Sequence, residues 1–155
     1  MLKFCYGTMN SGKSLRLLSV AHNLQETALP FLIFKSSIDT RDAKDKIHSR
    51  ALSEDMDCVT VLPDDDIFSI MEVYHILSID NPSQMPRFIL VDEAQFLTGK
   101  QVEQLANISD VMNIDIICLG LRTDFQTHLF EGSKRLFELS DSLTEIKSVC
   151  KCGRK

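Results

Sequence analysis

Short apolar runs alternate with stretches of helical periodicity along this 155-residue chain. Runs at 3–6, 31–35, 58–62, 88–92 and 115–119 predict strands, with a sixth expected within 142–149. Several are continuous rather than alternating, as suits strands buried on both faces of a largely parallel sheet. Between them, Leu17, Ala21, Leu24 and Ala28 recur at helical spacing after Ser14. Pro63 followed by Asp64, Asp65 and Asp66 predicts a helix start, with carboxylates at the positive end of the dipole. Ile67, Ile70, Met71, Tyr74 and Leu77 would form the buried stripe of that helix. A third helix is expected from Thr98 to about Met112, with Val102, Leu105 and Met112 facing inward. This alternation predicts an α/β fold with helices on both faces of a central, mostly parallel sheet, and ligand sites at the carboxyl ends of the strands.

Composition adds exclusions. At 44% hydrophobic and 25% charged, the chain is long enough to bury one sizeable core, and disordered or fibrous classes fit poorly. No apolar run approaches the ~20 residues of a membrane span, and the N-terminus does not read as a signal peptide. A cytoplasmic protein without a membrane partner is expected. The net charge of −5 speaks against nucleic acid as a partner but not against a nucleotide, since phosphates are held largely by backbone N–H groups. Cys5, Cys58 and Cys118 sit in apolar, strand-like sequence and read as reduced, buried thiols.

Gly7-Thr8-Met9-Asn10-Ser11-Gly12-Lys13-Ser14 fits the phosphate-loop pattern G-x-x-x-x-G-K-[ST] without mismatch, between a predicted strand and a predicted helix. Its glycines allow a tight curl that brings N–H groups against phosphate oxygens. Lys13 would reach the β- and γ-phosphates, and the Ser14 hydroxyl would ligate magnesium. At 88–91, four apolar residues run into Asp92 and Glu93. An Asp at such a strand tip holds magnesium, usually through water, and with the strand expected to lie beside the phosphate loop Asp92 would be near Ser14. Glu93, one residue on, is the natural candidate for general base.

Together these segments resemble the type II thymidine kinases, a family with a P-loop NTPase-like fold. Four stretches carry the resemblance: the phosphate loop with Met9 and Asn10 inside it; Asp39-Thr40-Arg41 after the second strand; Asp92-Glu93-Ala94-Gln95-Phe96, the family's D-E-x-Q-F; and Gly120-Leu121-Arg122-Thr123-Asp124-Phe125 after the fifth core strand. Phe130-Glu131-Gly132-Ser133 is also in register. The resemblance implies transfer of the ATP γ-phosphate to the 5′-hydroxyl of thymidine in nucleotide salvage. It makes Glu93 the base that takes the hydroxyl proton and Phe96 an aromatic packed on thymine. Met9 and Leu121 become apolar walls of a nucleoside pocket that also includes Phe125. Asp39 and Arg41 fall near the magnesium and phosphates, where an arginine can stabilise charge on the transferred group. A homotetramer with feedback by dTTP is implied as well. Plainer readings stand beside these: Phe96 and Phe125 as core aromatics, and Arg41 as part of a solvated charged loop at 41–50.

Cys150 and Cys152, beside Gly153, resemble the start of a zinc knuckle. The family holds a structural zinc with such a pair and a second pair downstream, in a segment that also forms a lasso over the thymine. The sequence stops at Lys155, before a second pair. A kinase domain at 1–147 is therefore expected, with 148–155 the beginning of a zinc-binding lasso domain in a C-terminally shortened chain, and poor base selectivity for the 155 residues alone. The rival functions are another P-loop NTPase and a non-catalytic nucleotide-binding domain.

Overall fold

A computed structural model describes residues 1–37, 46–49 and 52–148. Among these, six strands form one parallel sheet: β1 (Leu2–Gly7), β2 (Phe31–Ser36), β5 (Val59–Val61), β6 (Phe88–Asp92), β7 (Asp115–Leu121) and β8 (Ser142–Ile146), in the spatial order β5-β2-β6-β7-β1-β8. The expected α/β architecture with flanking helices is therefore present. The alternation of strand side chains splits the core in two. Helix α1 (Lys13–Glu26) covers one face, packing Leu17, Leu18, Ala21 and Leu24 with Cys5, Ile33, Leu90 and Leu119. Helices α2 (Ile67–Leu77), α3 (Gly99–Met112) and α4 (Glu131–Leu139) contribute to the other, with Phe4, Phe34, Ile89, Val91, Ile116 and Cys118.

Several element ends differ from the sequence expectation, each for a local reason. Helix α1 stops at Glu26, so Ala28 lies outside it at φ 52°. The Leu29 N–H bonds to the Leu24 carbonyl and the Ala28 N–H to the Gln25 carbonyl, a Schellman closure that requires the left-handed residue between them. Helix α2 begins at Ile67 rather than beside Pro63. Asp65 turns back to accept the Leu62 N–H at 2.8 Å, and Asp66 is the N-cap, accepting from Ser69 N–H. Its stripe is narrower than expected: Ile67 and Met71 are buried, Ile70 and Tyr74 are half-buried, and Leu77 is exposed.

Helix α3 begins after Thr98 as the pattern suggests, closed by a reciprocal capping box with Gln101. An antiparallel hairpin, β3 (Lys46–Ser49) with β4 (Leu52–Asp57), partly occupies the stretch read as a charged loop. Helix α4 was not anticipated. Its core-facing side carries Leu136, Phe137 and Leu139, with Gly132 and Ser133 buried beside them. Among the described residues, no helix is long and apolar enough to cross a membrane.

Candidate active site

The carboxyl ends of β1, β6 and β7 deliver the phosphate loop, Asp92 and Leu121 to one edge of the sheet. At the loop's end Gly12 has φ 82° and serves as the N-cap of α1. This left-handed geometry suits glycine and offers no capping side chain. No acidic residue sits in the first helical turn either. The positive end of the helix therefore keeps its amide donors for an anion. Lys13 is buried, and its Nζ donates to the Thr8 carbonyl at 2.7 Å, which lays the ammonium across the loop. The Ser11 hydroxyl is buried among the described residues without a partner, a donor-acceptor suited to a ligand oxygen.

Ser14 lies in the first turn of α1, and its hydroxyl donates to Asp92 Oδ2 at 3.3 Å. The expected meeting of these two residues holds, though by a different route: β7 separates β6 from β1 in the sheet. Helix α1 crosses that gap on the face it covers. A hydroxyl and a carboxylate, both hard oxygen donors, fit magnesium, which takes one or two protein ligands alongside phosphates and water. Among the described residues no cluster of three or more His, Cys, Asp or Glu forms a metal site by itself. The other Asp92 oxygen accepts the Glu93 N–H at 3.0 Å, so one carboxylate touches both the helix and the next turn.

That turn is strained. Glu93 sits at φ 49°, ψ 40°, then Ala94–Phe96 form a single 3-10 turn. For a non-glycine residue this left-handed conformation costs on the order of 1 kcal/mol or more, and such costs cluster at functional sites. It turns Glu93 back toward the sheet edge, where it is 7% exposed. Gln95, 1% exposed, donates from Nε2 to Glu93 Oε2 at 2.5 Å and accepts the Leu121 N–H on Oε1 at 2.9 Å. The Leu121 carbonyl in turn accepts from the Ser133 hydroxyl at 2.5 Å.

The expected nucleoside residues come from four separate segments. Phe96 is half-buried, its ring edge-on to Phe130 with centroids 5.7 Å apart. Leu121 is half-buried at the end of β7, and Met9 is 66% exposed on the phosphate loop. Phe125 is 92% exposed, so it is not a core aromatic. It stands on a turn closed by Asp124, whose Oδ1 accepts the Gln126 and His128 N–H groups. Asp39, Arg41, Cys150 and Cys152 lie outside the described residues.

Sequence reasoning quoted Gln95 and Ser133 as motif positions without giving either a role, and gave none to Lys35. Lys35 is buried and is the register partner of Asp92, which places both side chains on the α1 face. A lysine closing the apolar run at 31–34, as Asp92 closes 88–91, was the available signal. Gln95 and Ser133 carried no periodic signal for these roles, because each bonds to the main chain of Leu121, 26 and 12 residues away.

A parallel sheet with a phosphate loop and a strand-end Asp touching the helix that follows the loop defines the P-loop NTPase-like class of fold. Two solved structures share the fold: the Pif1 helicase of Candida albicans (TM-score 0.54, 12% identity, 96% of this chain and 36% of that one) and the genome packaging NTPase B204 of Sulfolobus turreted icosahedral virus 2 (TM-score 0.53, 15% identity, 98% and 76%). At such identities the likeness concerns the fold alone. The family is shown by sequence: the thymidine kinase family model matches residues 1–155, and the chain belongs to that family. It is 42% identical over 155 residues to a thymidine kinase of Streptococcus agalactiae, covering 99% of this chain and 77% of the relative. It is 43% identical over 154 residues to a thymidine kinase of Zymomonas mobilis, covering 99% and 76%.

Proposed function

We propose that this kinase transfers the γ-phosphoryl group of ATP to the 5′-hydroxyl of thymidine, giving dTMP and ADP for nucleotide salvage. The observation that carries this is the buried Glu93, held one residue beyond an Asp92 that touches Ser14 of the phosphate loop. A buried carboxylate beside the phosphate loop is what deprotonation of the attacking hydroxyl asks for.

Phosphoryl transfer asks for positioning and charge stabilisation more than for covalent chemistry. The loop amides from Gly7 to Ser14 and the Lys13 ammonium hold the β- and γ-phosphates. Ser14 and Asp92, with Asp39 as a further acidic candidate, would hold magnesium, which when bound neutralises phosphate charge. Arg41 adds a second cation at the γ-phosphate. Glu93 accepts the proton of the attacking 5′-hydroxyl. Phe96 packs on thymine, with Met9, Leu121 and Phe125 as apolar walls. Residues 1–147 form the kinase domain. Cys150 and Cys152 supply half of a structural zinc site that opens a small lasso domain from 148 onward. A cytoplasmic homotetramer with feedback by dTTP completes the reading.

The test is magnesium-dependent ATP turnover with and without thymidine, following dTMP, on this chain and on one extended with a C-terminal lasso segment. Thymidine-dependent product is expected, and it is stronger with the extension. ATP hydrolysis indifferent to thymidine in both would return the protein to the wider P-loop class. Glu93→Gln should lower kcat by ~10² to 10⁴, the usual worth of a general base, with ATP affinity nearly unchanged. Normal turnover by that variant would refute the assignment.

A further inference from the structure

Glu93 owes its position to a turn in an unfavourable backbone conformation, and something must hold its carboxylate there. The Gln95 side chain, two residues on, is buried and bound at both ends of its amide. Its Nε2 donates to Glu93 Oε2 and its Oε1 accepts from the Leu121 backbone N–H. The amide orientation follows from its partners, because a carboxylate can only accept and a backbone N–H can only donate. Leu121 is itself fixed on the other side, its carbonyl accepting from Ser133 Oγ in α4. A continuous path of hydrogen bonds therefore runs from α4, through the end of β7, to the Glu93 carboxylate.

We propose that Gln95 is a positioning residue for the transfer reaction, clamping the Glu93 carboxylate in register with the β7 end at Leu121. This rests on Glu93 being the base, as proposed above. A carboxylate on a two-carbon stem has rotamers that leave the attacking hydroxyl beyond reach. A donor at hydrogen-bond distance selects one of them in the resting protein, so the ordering cost is met before substrate arrives. Because the other end of the same amide holds Leu121, the base and one proposed wall of the nucleoside pocket keep a constant separation. Misplacement of a reacting group by about 1 Å costs up to ~10² in rate, which sets the scale of the expected loss.

The experiment compares Gln95→Met and Gln95→Glu, each alone and combined with Glu93→Gln, in steady-state dTMP formation with ATP affinity measured alongside. Gln95→Met keeps the length and removes both hydrogen bonds. Gln95→Glu keeps an acceptor for the Leu121 N–H and replaces the donor facing Glu93 with a carboxylate. Both single variants should lose roughly 10- to 100-fold in kcat while KM for ATP holds steady. In the Glu93→Gln background neither should cost more than about twofold further, since the group being positioned is no longer a base. If Gln95→Met does not fold, Gln95→Glu is read on its own, with ATP affinity reporting that its site is intact. Wild-type kcat in the folded Gln95 variants, with Glu93→Gln still impaired, would overturn the clamp and leave the base assignment standing. An equal loss in the Glu93→Gln background would assign Gln95 a purely structural role and overturn the clamp as well. Normal turnover by Glu93→Gln would remove the base and the clamp together.

Discussion

Gly132→Ala sets two effects of opposite sign against each other at one atom. Gly132 lies in the first turn of α4, where alanine gains at most ~1 kcal/mol of helix propensity over glycine. The added Cβ would stand 2.5 Å from the Ala94 carbonyl oxygen, 2.7 Å from that of Leu97 and 3.0 Å from that of Gln95. The shortest falls about 0.9 Å inside the 3.4 Å at which ordinary contact begins. All three neighbours are backbone, so no side chain can swing aside. Overpacking of this kind costs ~1–3 kcal/mol, and three simultaneous backbone contacts place it at the upper end. The net expectation is a loss of ~2 kcal/mol, or a fall in Tm of roughly 4–8 °C for a domain of this size. The oxygens belong to the turn that carries Glu93, so kcat should fall about tenfold or more in the fraction that remains folded. Urea unfolding, with initial rates of dTMP formation on the same samples, measures both. Gly99→Ala is the internal control, because its Cβ would meet only Glu131 Oε1 at 3.4 Å. That variant should be neutral or slightly stabilising. If Gly132→Ala matched or exceeded the wild type in stability, propensity would have won and the close approach of α4 to the turn that carries Glu93 would be wrong.

The remaining predictions concern stability. Ala28→Gly should stabilise the protein by ~1 kcal/mol, because Ala28 holds φ 52° at an exposed helix terminus where glycine has no Cβ to strain. A thermal melt showing a lower Tm for the variant would refute that account. Burial in the core, with Cys5 as a smaller contributor, pushes the Cys118 thiol well above its ordinary value of 9.0. The unfolded chain therefore releases that proton above about pH 9 while the folded chain retains it. The contribution of Cys118 is complete below pH 9 and is lost as pH rises beyond it, at up to ~1.4 kcal/mol per pH unit. Denaturant midpoints from pH 8 to 10.5 should fall less steeply for Cys118→Ala than for the wild type, and parallel slopes would sink the prediction.

The α/β class, the five core strands, the phosphate loop and the acidic strand end were all legible in the sequence, because each rests on local physics. Continuous apolar runs specify strands buried on both faces, and the glycine and lysine spacing specifies a loop that wraps phosphate. The family resemblance was legible for the same reason, since its motifs are contiguous. Tertiary structure decided what depends on partners distant in the chain. It placed β7 between β6 and β1 and still brought Ser14 to Asp92 through the crossing of α1. It started α2 four residues after Pro63, because Asp65 hydrogen bonds back to Leu62. It buried Gly132 and Ser133 beside Leu136 in α4, and small residues of this kind do not announce a buried face in the sequence. It also gave Gln95 its two partners, one of them 26 residues away. Hydrophobic patterning records which face a residue turns to the core, whereas hydrogen bonds between a side chain and a remote main-chain group leave no period in the sequence. In this protein the strands that carry the phosphate loop and Asp92 belong to the first kind, and the bond from the Leu121 N–H that anchors Gln95 beside Glu93 belongs to the second.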